Sequence, residues 1–101
     1  MTSKERAYLK GIAMNMDPIL HIGKSTVTPE ITQAVHEALE ARELIKINVL
    51  KNCFDDPRSI AERLAERTNS QVVQVIGRRI VLYKQAKEPG KRKYLGKEAK
   101  K

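Results

Sequence analysis

Twice in this chain a residue that caps helices stands directly before a proline, at Thr28-Pro29 and at Asp56-Pro57. The capping side chain can accept a hydrogen bond from an orphan N–H of a new helix, and proline at the first helical position sacrifices no hydrogen bond. After Thr28-Pro29, the residues Ile31, Val35, Ala38 and Leu39 form one apolar stripe at helical spacing, with Glu37, Glu40 and Arg42 placed to face water. After Asp56-Pro57, the residues Ile60, Ala61, Leu64, Ala65 and Thr68 repeat that pattern, which stops near Asn69-Ser70. Each helix follows a strand-like stretch. Ile19–Ile22 precedes the first, and Leu44–Leu50 precedes the second, with Ile45, Ile47 and Val49 alternating against Lys46 and Asn48. Strand-helix-strand units therefore dominate the chain.

Thr2 and Glu5, at capping-box spacing, open an earlier helix with Leu9, Ile12, Ala13 and Met16 on its apolar side. Asn15 and Asp17-Pro18 end it, because the residue before a proline is pushed out of the helical region. Near the other end, Gln71–Ile76 and Arg79–Tyr83 flank Gly77-Arg78, a tight hairpin. The order is α-β-α-β-α-β-β. Right-handed crossovers imply parallel pairing, and the hairpin makes the last strand antiparallel to its neighbour. The expected fold is a two-layer α/β sandwich on a four-stranded mixed sheet, with the second and third helices sharing one face.

The chain has 101 residues, enough for one domain, expected over residues 1–84. Its net charge of +8 is unevenly spread. Residues 84–101 hold eight basic side chains against Glu88 and Glu98, a net +6, so the remainder is close to balanced. Residues 85–101, with Pro89-Gly90 and little apolar content, are expected to form a disordered basic tail. The lone Cys53 cannot form an internal disulfide, and no apolar run suits a membrane span or signal peptide, so a cytoplasmic protein is expected.

Gly23-Lys24-Ser25-Thr26 lies between a strand and a helix start. Glycine lets backbone N–H groups approach a phosphate, the helix N-terminus adds a positive dipole end, and Lys24, Ser25 and Thr26 add a charge and two hydroxyls. The same residues also suit an ordinary connecting loop. A nucleotide-binding P-loop is excluded, because it needs a glycine where Pro18 stands. His21, His36 and Cys53 lack metal-ligand spacing, and no Gly-x-Ser-x-Gly nucleophile occurs, so neither metal, cofactor nor catalysis is expected. Glu37, Glu40, Glu43, Glu62 and Glu66 fit solvated helix faces. The aromatics Tyr8, Phe54, Tyr83 and Tyr94 do not supply the strand pattern of a base-stacking sheet. Lys4, Arg6 and Lys10 form one basic group on the first helix, and Arg78, Arg79 and Lys84 a second around the hairpin.

Four ordered strings, His21–Lys24, Ala41–Ile47, Val72–Gly77 and Ile80–Lys84, resemble the CRM domain (chloroplast RNA splicing and ribosome maturation), closest to its bacterial stand-alone, YhbY-like members. The resemblance covers roughly residues 3–84. It implies a fold similar to the C-terminal domain of translation initiation factor three, and RNA binding without catalysis. It further implies association with precursor large-subunit ribosomal RNA. Ribosomal proteins are further candidate partners, and a monomer is expected. The resemblance carries RNA contact onto Gly23 and Lys24, which with Ser25 and Thr26 form the expected backbone clamp; from the residues themselves, Lys4, Arg6 and Lys10 are expected in support and Arg78, Arg79 and Lys84 behind them. Family members usually carry Gly-x-x-Gly in this loop, and here Thr26 replaces the second glycine. Either the loop has no need of glycine's freedom, or its grip differs. An alternative role is a protein–protein adaptor on a ribosomal protein, with only the basic tail touching RNA.

Overall fold

A computed structural model describes residues 1–96. Its elements are α1 (Ser3–Ala13), β1 (Leu20–Ile22), α2 (Pro29–Arg42), β2 (Leu44–Val49), α3 (Pro57–Thr68), β3 (Gln71–Ile76), β4 (Arg79–Tyr83) and a short 3-10 turn, Pro89–Lys91. The anticipated α-β-α-β-α-β-β order is present. Each helix start is capped as its sequence requires. Thr2 and Glu5 form a reciprocal capping box, Thr28 accepts from the Ile31 N–H, and Asp56 accepts from the Ser59 N–H. α1 stops at Ala13, short of Met16. α3 ends on Asn69 in the left-handed conformation that asparagine tolerates.

The sheet order is β1-β2-β4-β3. β1 and β2 are parallel, while β4 pairs antiparallel with both β2 and β3. The second crossover thus skips a position, leaving a slot that β4 fills by folding back through a turn with Gly77 at φ 57°. Burial explains the placement. Ile80, Val81, Leu82 and Tyr83 are all buried, as suits a strand covered on both faces, whereas β3 is only partly buried and lies at an edge.

Alternation divides the core into two. Ile22, Ile45, Ile47, Val49, Ile80 and Leu82 face α2 and α3, packing on Val35, Leu39, Ile60, Ala61 and Leu64. This is the anticipated sandwich. Leu44, Val73, Val81 and Tyr83 point the other way and are covered by Leu9 and Ala13 of α1, which adds a partial third layer. A bulge at Val73 shifts the β3–β4 register, so that Val72 opposes Leu82 and Gln74 opposes Val81. The Arg6 guanidinium spans this irregularity, donating to the carbonyls of Val72 (2.6 Å) and Val73 (3.0 Å).

Two expectations change. Glu43 is not a solvated helix residue: it is 3 % exposed and ends α2 at φ 67°. Residues 85–96 are not a free tail either, because the Glu43 carboxylate accepts the backbone N–H groups of Ala86 (2.6 Å) and Lys93 (2.5 Å). Tyr94 and Leu95 then pack against the α1-side core. Apolar residues were too sparse there to suggest docking, and the anchor is a polar one. Residues 97–101, the rest of the expected tail, lie outside the described residues.

Candidate nucleic-acid interface

Parallel β1 and β2 deliver both of their following loops to the same end of the sheet, where the Ile22↔Val49 pair lies. β4 begins at that end, since Asn48 pairs with Arg79, and the hairpin tip is fastened there by the Val49 N–H donating to the Arg78 carbonyl at 2.7 Å. Three connections therefore converge: residues 23–28, residues 50–56, and Gly77-Arg78. The N-termini of α2 and α3 open at this end too, as is usual for binding sites beyond the carboxyl ends of parallel strands.

Gly23 to Thr26 forms a turn closed by the Thr26 N–H donating to the Gly23 carbonyl at 3.0 Å. Lys24 and Ser25 occupy its centre and are exposed. Thr26 adopts φ 56°, the left-handed region. The position of the family's second glycine thus retains a glycine-like backbone while carrying a β-branched side chain. That conformation costs a residue with a Cβ about 1–2 kcal/mol. Gly23 serves differently. A Cβ there would lie 3.3 Å from Asn52 Oδ1 and 3.5 Å from Leu50 Cδ1, so the missing side chain lets the β2–α3 connection close over the turn. The Leu50 N–H donating to the Ile22 carbonyl at 2.8 Å fixes that approach.

Arg78 and Arg79, distant from Lys24 in sequence, reach the same end of the sheet. Arg79 donates to Asn48 Oδ1 at 2.7 Å, and the Asn48 amide meets His21 Nδ1 at 3.3 Å. His21, Asn48 and Arg79 thereby form a polar row across three neighbouring strands, on the face opposite α2 and α3. Lys51, exposed in the β2–α3 connection, adds a cation to this end.

The other candidates go elsewhere. Lys84 lies at the far end of β4, roughly 17 Å from Arg79 at the usual strand rise, and forms an ion pair with Glu40 (3.1 Å). Arg6 and Lys10 line a cleft of about 330 Å³ along edge strand β3, joined by Arg58 from α3. Lys4 is exposed on the same helix, α1. Two strands separate the β3 edge from β1 and its loop, so the α1 group and Lys24 do not converge.

Lys51, Asn52, Phe54, His21 and Asn48 were not assigned to an interface from sequence. The signal for the first three was present: whatever marks the loop after β1 applies equally to the loop after its parallel neighbour. The His21–Asn48–Arg79 row depends on register and could not be read from the chain. A cavity of about 670 Å³ lies away from these loops, between the end of α2 and residues 84–93.

Comparison with known proteins agrees with this architecture. The family model of the CRS1 / YhbY (CRM) domain matches residues 1–84. The Bacillus subtilis "Probable RNA-binding protein YqeI" is 46% identical over 88 residues, spanning 87% of this chain and 92% of that protein. An "RNA-binding protein" of Haemophilus influenzae is 28% identical over 88 residues, spanning 87% of this chain and 89% of that protein. The solution structure of a hypothetical Staphylococcus aureus protein, for which RNA binding has been suggested, superposes with a TM-score of 0.77 at 44% identity, covering 93% of this chain and 98% of that one. The match across residues 1–84 and the similarity over 87% of this chain to a relative 46% identical show that the chain belongs to the CRS1/YhbY (CRM) domain family.

Proposed function

We propose that this chain is a non-enzymatic RNA-binding protein that holds the phosphate backbone at the end of the sheet where its three connections meet. The observation that carries the reading is this convergence. It gathers Lys24, Lys51, Arg78 and Arg79 beside a turn that exposes Lys24 and Ser25. Gly23 and Thr26 shape the turn, and the N-termini of α2 and α3 add favourable dipoles. Lys84 lies at the opposite end of β4, and Lys4, Arg6 and Lys10 lie on the β3-edge side of the sheet, two strands from the β1 loop, so they contribute at most long-range attraction. The RNA-binding names of the relatives support the class of ligand. In this reading the protein acts as a cytoplasmic monomer during assembly of the large ribosomal subunit, on its precursor RNA.

A salt titration tests the proposal. Four neutralised phosphates on a single strand give a slope of log K against log salt of about −3. Lys24→Ala should weaken binding and flatten that slope by roughly 0.7 while the fold survives. A salt-insensitive affinity, unchanged in Lys24→Ala, would instead favour an adaptor that docks on a ribosomal protein.

A further inference from the structure

Phe54 is 86 % exposed, more than any other large apolar side chain among the described residues. Packing does not explain it. The loop that carries it is nevertheless well fastened. Cys53, immediately before it, is buried, and its N–H donates to the Leu50 carbonyl at 3.1 Å. Asp56, two residues after it, caps α3, and Asp55 is paired with Arg63 at 2.8 Å. The ring is thus presented to solvent between two anchored neighbours, which lowers the entropy cost of using it in binding. It is also beside the clamp: Asn52 and Leu50 of the same loop are the residues that close on Gly23, and Leu50 is itself 40 % exposed.

Charge determines what such a surface receives. The two carboxylates following Phe54 disfavour a phosphate at that spot, whereas the turn at Lys24 favours one. A nucleotide lying across both would set its phosphate on the turn and its uncharged base on the ring. Every base has a π-face, so this contact needs no particular sequence, but it does need an unpaired base.

We propose that Phe54 is a base-stacking platform, which makes the clamp selective for unpaired over duplex RNA. The inference rests on the RNA-binding reading of the Gly23–Thr26 turn, and its test separates the two. Affinities of the full chain for a short single-stranded RNA and for the duplex of the same sequence are compared by fluorescence anisotropy. Phe54→Ala should weaken single-strand binding about ten- to a hundredfold and leave duplex binding within about twofold. So exposed a side chain can be removed without loss of the fold. The chain contains no tryptophan, so Phe54→Trp introduces a single reporter. Its emission should be quenched by the single strand and not by an abasic oligonucleotide of equal charge. Equal single-strand affinity in Phe54→Ala, with no quenching in Phe54→Trp, overturns the proposal and leaves the ring as a contact for a protein. Equal weakening on single strand and duplex also overturns it. Quenching in Phe54→Trp together with unchanged affinity in Lys24→Ala sustains the stacking platform and sinks the clamp instead.

Discussion

Glu43 Oε1 accepts the backbone N–H of Lys93 at 2.5 Å, fifty residues along the chain, while its other oxygen holds the N–H of Ala86. The Glu43 carbonyl also accepts the Lys84 N–H at 2.8 Å, and the Lys93 ammonium reaches the Ala41 carbonyl at 3.2 Å. One carboxylate therefore fastens residues 85–96 to the folded body at two points. Glu43→Ala should cost about 2–3 kcal/mol, because charge-assisted hydrogen bonds are lost. Amide exchange at Ala86 and Lys93 should lose protection in parallel. Glu43→Gln, with one acceptor oxygen in place of two, should retain protection at only one of the two sites.

Thr26 holds a left-handed backbone that glycine adopts without strain. Relief of about 1–2 kcal/mol, set against glycine's greater freedom in the unfolded chain, leaves Thr26→Gly more stable by roughly 0.5–1 kcal/mol. RNA affinity should change by less than about threefold, since the turn already has its working shape. Thr26→Pro should unmake the turn, because proline has no N–H for the Gly23 carbonyl and cannot take positive φ. Thermal melts and anisotropy of both variants check the pair.

Arg6 separates a structural cation from a binding one. Its guanidinium donates to two carbonyls at the β3 bulge, so Arg6→Ala should destabilise the domain by about 1–3 kcal/mol. The salt slope of RNA binding should stay as in the parent. Denaturant unfolding and a salt titration of the same variant measure both quantities.

The Tyr83 hydroxyl is buried and has no hydrogen-bond partner among the described residues. Burial first, and the Glu43 carboxylate second, push its pKa above the ordinary value of 10.0. Folding therefore favours the protonated phenol, and that contribution falls away as pH rises above 10 towards the folded value. Tyr83→Phe should be neutral or stabilising by up to about 1 kcal/mol at neutral pH. It should also lose less stability than the parent on alkaline titration, followed by circular dichroism.

The hydrogen bond from Lys84, reinforced by its charge, lowers the Glu40 pKa below the usual 4.5. A depressed carboxylate pKa adds stability that is present above the unfolded value and lost as pH falls through the folded one. A carboxyl-carbon NMR titration should place the Glu40 midpoint below an ordinary glutamate, and Lys84→Met should return it upward.

Local signals in the sequence were strong where one residue acts on its neighbours. Thr28-Pro29 and Asp56-Pro57 announced two helices, and the capping box at Thr2 and Glu5 a third, because a cap is a contact across three residues. The slot taken by β4 was less obvious, although four consecutive buried residues from Ile80 to Tyr83 are the mark of an interior strand. Glu43 resisted reading altogether. Its spacing matched the solvated glutamates of α2, and its partners lie far along the chain. At the candidate interface, Lys24 and Arg79 were each visible alone. That both reach the same end of the sheet depends on strand order, as does the separation of Arg6 and Lys10 from Lys24.

The position of β4 also governs how the domain assembles. β2 and β3 share no ladder, so until residues 79–83 arrive the sheet is a two-stranded parallel piece and a separate strand, each with open edges. The four-stranded sheet is complete only once the segment synthesised after every other strand is in place. Closing the loop for the non-local β2–β4 pairing is then expected to be the slow event. Destabilising changes in β4 should accordingly slow refolding, while those in α1 should chiefly speed unfolding.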